Sequence, residues 1–193
     1  ALAEFFFQKN ELIYLITTPS FSNNISYQSE EARQTFIAQA FQKIMEIEKR
    51  GIPDQFVETL TAKLTDPLAK VKCSAANVLL YVVLAKKTLP DKTVEILFRN
   101  LSSENAKVRE STFIALKTIV NAGNQIPDSV ITVLMENLSH YNEDVRCYIA
   151  GAFSWLAKRG KSLPNDVPLA LVKNLSSKHP MLCQNSAYAL LEI

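Results

Sequence analysis

The sequence predicts an all-α fold: a right-handed α-α superhelix, or solenoid, of about five antiparallel helix pairs with a 37-residue period. The first observation behind this is a quartet of segment openings, Ile52-Pro53-Asp54, Leu89-Pro90-Asp91, Ile126-Pro127-Asp128 and Leu163-Pro164-Asn165, each 37 residues after the last. The second is that each period carries two apolar stripes at helical spacing, separated by a polar break. The third is composition: hydrophobic residues make up 48% of the chain, enough for a continuous core, while 4 glycines in 193 residues are few for a fold rich in strands or loops.

The elements follow in order. Residues 29–50 carry the stripe Ile37, Ala40, Phe41, Ile44 and Met45, ended by Gly51, and read as the second helix of an atypical first unit whose partner is 3–17. The next unit opens at Ile52 with Val57, Leu60 and Leu64 on one face. In the unit from Leu89, Asp91 is expected as the N-cap after Pro90, and Val94, Leu97, Phe98 and Leu101 form the stripe. Ile131, Leu134, Met135 and Leu138 repeat it one unit later. Pro168 falls in the first turn of the last such helix if Asn165 caps it, where its missing N–H has no intrahelical acceptor.

Each first helix stops at a polar break: Thr65-Asp66-Pro67, Ser102-Ser103-Glu104-Asn105, Ser139-His140-Tyr141-Asn142 and Ser176-Ser177-Lys178-His179. Ser102, Ser139 and Ser176 are expected as turn caps. Asn100, Asn137 and Asn174 are expected to close the first helix or to form a hydrogen-bonded ladder. The second helix then carries Val108, Thr112, Ala115 and Ile119 inward, with Ala115, Ala152 and Ala189 small at one buried position and Val78 the exception. The expected units are 1–51, 52–88, 89–125, 126–162 and 163–193, one array.

Net charge is +2, too even to imply nucleic-acid or membrane-surface binding from the total. Cys73, Cys147 and Cys183 include no CxxC pair, and the first two lie two units apart, roughly 20 Å at about 10 Å per layer, beyond disulfide reach. This favours a reducing compartment and argues against a zinc site. No apolar run is long enough to span a bilayer and no signal peptide is recognisable, so a cytoplasmic location is expected. Four sequons occur, at Asn24, Asn100, Asn137 and Asn174; the last three recur with the repeat, and glycosylation is not expected without a secretory context. The chain opens on Phe5-Phe6-Phe7 and closes on Leu190-Leu191-Glu192-Ile193 without a polar cap, which predicts a segment of a longer protein with ends open to end-to-end contacts.

The runs that open the second helices, Lys70-Val71-Lys72, Lys107-Val108-Arg109, Asp144-Val145-Arg146 and Met181-Leu182-Cys183, together with the paired helices and the proline at each opening, resemble the HEAT repeat family of α-solenoids, kin to armadillo repeats. The resemblance covers residues 29–193. It implies an Asp/Arg ladder between units and a concave surface lined by the second helices. Proteins of this kind serve as adaptors, receptors, scaffolds and regulatory regions of large ATPases, so the fold alone does not choose among them.

On that surface, stepping by the period points to Asn77, Tyr81 and Leu84, then Ile114, Lys117 and Asn121, then Ser154, Trp155 and Lys158, then Tyr188 as partner-binding residues. Cys73, Leu80, Glu110, Thr118, Cys147, Gly151, Gln184 and Leu191 belong to the same stripe or flank it. Mixed apolar, polar and aromatic character suits a protein or peptide. Trp155, the only tryptophan, is the leading anchor, with packing between adjacent units as its other reading. The predicted function is a non-catalytic interaction scaffold; the alternatives are a regulatory or sensing region of a larger protein, for example an NTPase, and a nucleic-acid binder. Lys117 and Lys158 against Glu110 give too little positive charge for a phosphate backbone. Lys72, Arg109 and Arg146 read as partners of the turn acids Asp66, Glu104 or Asp144 rather than as a phosphate stripe. With only His140 and His179, no phosphate loop and no metal-ligand spacing, no catalytic centre and no cofactor is expected.

Overall fold

The structure, a computed structural model, describes residues 52–193; the expected first helix pair, 3–17 and 29–50, lies outside them. Eight helices follow one another: α1 (Asp54–Lys63), α2 (Ala69–Leu84), α3 (Asp91–Asn100), α4 (Ala106–Asn121), α5 (Ser129–Asn137), α6 (Glu143–Lys158), α7 (Asp166–Asn174) and α8 (Pro180–Glu192). There is no strand among the described residues. Each odd helix packs on the even helix after it, the odd helices stack as α1, α3 and α5, and the even ones as α2, α4, α6 and α8. This is an all-α solenoid, two helices deep.

The core is a strip between the two stacks. Leu60, Leu97, Leu134 and Leu171, one from each odd helix, are all at most 1% exposed, and Val78, Ala115, Ala152 and Ala189 face them from the even helices equally buried. Burying a leucine is worth about 2 kcal/mol, so each layer gains mainly by stacking on the next. Of the stripe expected for α5, Leu134 and Leu138 are buried, whereas Ile131 and Met135 are only half-buried and Val130 and Val133 are buried in their place. The position common to all four odd helices is Phe56, Thr93, Val130 and Val167, every one buried. Thr93 is tolerated there because its hydroxyl bonds that of Thr61 at 2.7 Å.

Helix starts differ from expectation in one respect. The residue capping α3 is Pro90, with φ −61° and ψ 147°, and Asp91 is the first helical residue with no capping hydrogen bond. The proline already holds the extended backbone that an N-cap needs. With no capping bond to make, the corresponding acid ties two of the layers to their own exits: Lys87 Nζ reaches Asp54 Oδ1 and Lys161 Nζ reaches Asp128 Oδ1, both at 2.6 Å. Pro168 is the third residue of α7, as expected for a first-turn proline.

Helix ends share one device. Lys86, Gly123 and Gly160 follow the C-caps of α2, α4 and α6 with φ of 62°, 84° and 70°. The next amide then bonds back to the helix, from Lys87 to Val82, Asn124 to Ile119 and Lys161 to Leu156. This left-handed cap turns the chain toward the following proline.

Candidate interaction surface

The hairpin turns show how differing residues build one geometry. Asp66, Ser103, His140 and Ser177 occupy the same place in successive turns, and each side chain accepts the backbone N–H two residues on, at 3.0, 3.3, 3.1 and 3.0 Å. Asn105, Asn142 and His179 then cap α4, α6 and α8 through side-chain acceptors. Both histidines are thereby engaged in turn structure. Ser102 and Ser176 bond the carbonyls three residues back at 2.8 and 2.9 Å, as turn caps should.

Between layers runs a ladder of ions. Arg109, 3% exposed, donates through Nη1 to the carbonyls of Ser103 and Glu104 and through Nη2 to Asp144 Oδ2 at 3.1 Å. Asp144 Oδ1 meets His179 Nε2 of the next layer at 3.2 Å. Arg146 holds the carbonyls of His140 and Tyr141 and pairs with Glu143, which also accepts from Ser177. The arginines thus clamp turns, but Arg109 chooses the acid of the following unit, and Glu104 instead takes the Tyr141 hydroxyl at 2.9 Å. That bond raises the Tyr141 pKa. The asparagine ladder forms at one place, Asn100 Nδ2 to the Leu64 carbonyl at 3.0 Å. Asn137 bonds within its own helix and the buried Asn174 Nδ2 has no partner.

The even helices present the predicted stripe unevenly. Ile114 and Leu84 are 46% and 58% exposed, Tyr188 is 53% exposed, and Lys117, Asn121 and Lys158 are exposed. Tyr81, Ser154 and Trp155 are half-buried. Asn77 is buried, as are Cys73, Cys147 and Gly151, so these four offer a partner little surface. The step of one period assumes equal layers, and the layers are not equal: α2 packs closely on α4 and α6 on α8, while α4 and α6 are less closely apposed.

Phe113 accounts for that difference. Its equivalents are Ala76, Ala150 and Ala187, small residues that let helix axes approach. The Phe113 ring fills the α4–α6 junction, 4.4 Å from the Trp155 ring centroid and 5.0 Å edge-on from Tyr148. It lies over Gly151, while from the other side Asn185 Nδ2 reaches the Cys147 carbonyl at 3.0 Å and its Sγ at 3.3 Å. A side chain at 151 would obstruct both. Burial pushes the Cys147 thiol up to about 11, against the Asn185 bond and with a further push from Asp144. Burial likewise raises Tyr148, aided by Glu110. Trp155 therefore does pack between adjacent units, through Phe113, while Ile114, the residue after Phe113, stays open to solvent. The set predicted from sequence omits Phe113 and Tyr148; a lone aromatic in a register of alanines is the signal that points to Phe113.

The half-buried aromatics meet between α4 and α6, and the same two helices carry exposed Ile114, Lys117 and Lys158, the lysines forming no ion pair among the described residues. Among the described residues no group of three or more His, Cys, Asp or Glu side chains could hold a metal, and no helix is long and apolar enough to cross a membrane. The fold and this face define a class: a HEAT/armadillo-like repeat solenoid, an architecture typically devoted to binding rather than catalysis.

Within that class, the chain belongs to the family described as dynein axonemal assembly factor 5-like, TPR repeats, whose model matches residues 8–163. No curated protein matches the chain. Among solved structures, an engineered protein from a structural genomics consortium is similar at 21% identity and TM-score 0.47, over 94% of this chain and 78% of that one. A designed armadillo repeat protein is similar at 16% identity and TM-score 0.48, over 94% and 80% of the two chains. Another, solved in complex with the peptide (KR)4, is similar at 15% identity and TM-score 0.48 over the same shares.

Proposed function

We propose that this chain is a non-catalytic, cytoplasmic interaction scaffold that receives a protein or peptide segment on a concave surface formed by its second helices. The observation that carries the reading is Ile114, an exposed β-branched residue next in sequence to Phe113, whose ring meets Tyr148 and Trp155, with Lys117, Asn121 and Lys158 exposed on the same two helices. An apolar anchor on a rigid aromatic base inside a polar rim is the anatomy of a binding hot spot. Catalysis finds no support, because both histidines are committed to turns and the ladder. The family's name associates it with axonemal dynein assembly, and a scaffold that holds protein subunits during assembly suits that association.

The test is capture of partners from lysate with the 193-residue chain and with Ile114→Asp, each identified by mass spectrometry. Partners lost with the variant, at unchanged thermal stability, support the reading. An identical partner set on both proteins contradicts it.

A further inference from the structure

Resting on the reading of this face as a docking surface, we infer that its occupant is an acidic peptide segment: an apolar anchor placed against Ile114, with Asp or Glu side chains reaching Lys117 and Lys158. The argument is charge complementarity. Lys117 and Lys158 are exposed and form no ion pair among the described residues. They lie one turn beyond Phe113 and Trp155, whose rings touch across the α4–α6 junction, so the two lysines stand at the same end of that ring pair on adjoining helices.

The surroundings reinforce the sign. No acidic residue occurs between Ser111 and Pro127 or between Val145 and Asn165, which span the C-terminal halves of α4 and α6 and the loops that follow. Arg159 adds a third cation at that end, anchored by its Nη2 to the Val120 carbonyl. Lysine at a helix C-terminus also suits the helix dipole, which accounts for Lys158 but not for Lys117, four residues before the end of α4. The acids of α4 and α6 lie at the opposite end: Glu110 is exposed near Tyr148, while Glu143 and Asp144 are paired with Arg146 and Arg109; Glu192, the last residue of α8, is the one acid at the C-terminal end of a described even helix. Charge is therefore graded along α4 and α6, and a bound segment carries its negative charge toward the C-termini of those two helices.

Two or three cations fall short of the several phosphate contacts that nucleic acid needs. They match the few carboxylates of a short peptide, whose rim charges set approach and register.

The experiment is selection of a displayed random peptide library on the 193-residue chain, followed by fluorescence titration of selected peptides. Wild type is compared with Lys117→Glu/Lys158→Glu and with Ile114→Asp, all exposed positions at which the thermal midpoint is expected to hold. The inference predicts peptides that combine an aromatic or aliphatic anchor with Asp and Glu, lose at least about tenfold in affinity on charge reversal, and weaken as salt rises. Neutral or basic peptides that still require Ile114, or acidic ones indifferent to charge reversal, overturn the acidic assignment and leave the docking surface intact. Peptides indifferent to Ile114→Asp, or none selected, overturn the docking surface itself. A single-stranded RNA oligonucleotide that binds more tightly than any peptide also overturns the inference.

Discussion

Phe113 of α4 lies so close over Gly151 of α6 that a Cβ on the glycine would stand 3.0 Å from the ring carbons Cε2 and Cζ. A mid-helix glycine costs about 1 kcal/mol relative to alanine, so here the close approach of a neighbouring ring, not helix propensity, decides the residue. Gly151→Ala is expected to destabilise the chain by about 1 kcal/mol net, the overpacking penalty exceeding the propensity gain. In a Phe113→Ala background the same change should stabilise. Urea unfolding of the four proteins gives the coupling directly.

Arg109 anchors turn and ladder together. Its guanidinium is buried and holds two backbone carbonyls as well as Asp144, whereas Asp144 is 55% exposed. Arg109→Ala should cost about 2–4 kcal/mol, and Asp144→Ala no more than about 1 kcal/mol. Arg109→Lys should recover little, since a single ammonium lacks the fork that spans both carbonyls and the acid. Equal losses for Arg109→Ala and Asp144→Ala in denaturant titrations would assign the stabilisation to the ion pair instead.

At Lys86 the chain adopts a left-handed backbone that glycine supplies at Gly123 and Gly160. Lys86→Gly is expected to raise stability by up to about 1 kcal/mol, and Gly160→Ala to lower it by about 1 kcal/mol. Nothing lies within 4 Å of the Cβ position at Gly160, so that variant reports backbone strain alone. Thermal unfolding read at both positions checks the pair.

Much of this is legible in the sequence and some is not, for physical reasons. Leu60, Leu97, Leu134 and Leu171 fall one period apart, and periodic burial is what a repeat encodes most directly. The shared turn geometry of Asp66, Ser103, His140 and Ser177 is hidden because differing chemistries accept the same backbone N–H. Asp91 reads as a cap because its side chain can cap, but Pro90 already holds the backbone there. On the candidate face, helical spacing identifies which side of α4 is exposed. It cannot reveal that Phe113 and Asn185 reach across from neighbouring layers to cover Gly151 and Cys147, because such coverage depends on side chains outside the helix being read.

Cys147 carries a pH dependence. Burial holds its thiol neutral up to about 11 in the fold, while in the unfolded chain a cysteine ionises near pH ~8.5–9. A raised folded pKa gives stability that is complete below about pH 9 and is lost as pH climbs toward 11. Relative to Cys147→Ala, the wild-type chain should therefore lose on the order of 1 kcal/mol between about pH 8.5 and 11. Parallel denaturant titrations at both pH values measure this difference, and an unchanged gap between the two proteins would show that the thiol is not shielded.

The claim that matters most is that partners bind on the even-helix face beside Ile114. Site-specific incorporation of a photo-crosslinking phenylalanine analogue at position 114, with the exposed position 92 of α3 as control, tests it in cells. The account predicts discrete protein adducts from position 114 and none from position 92. Adducts from position 92 alone, equal adducts from both, or none from 114 would contradict it.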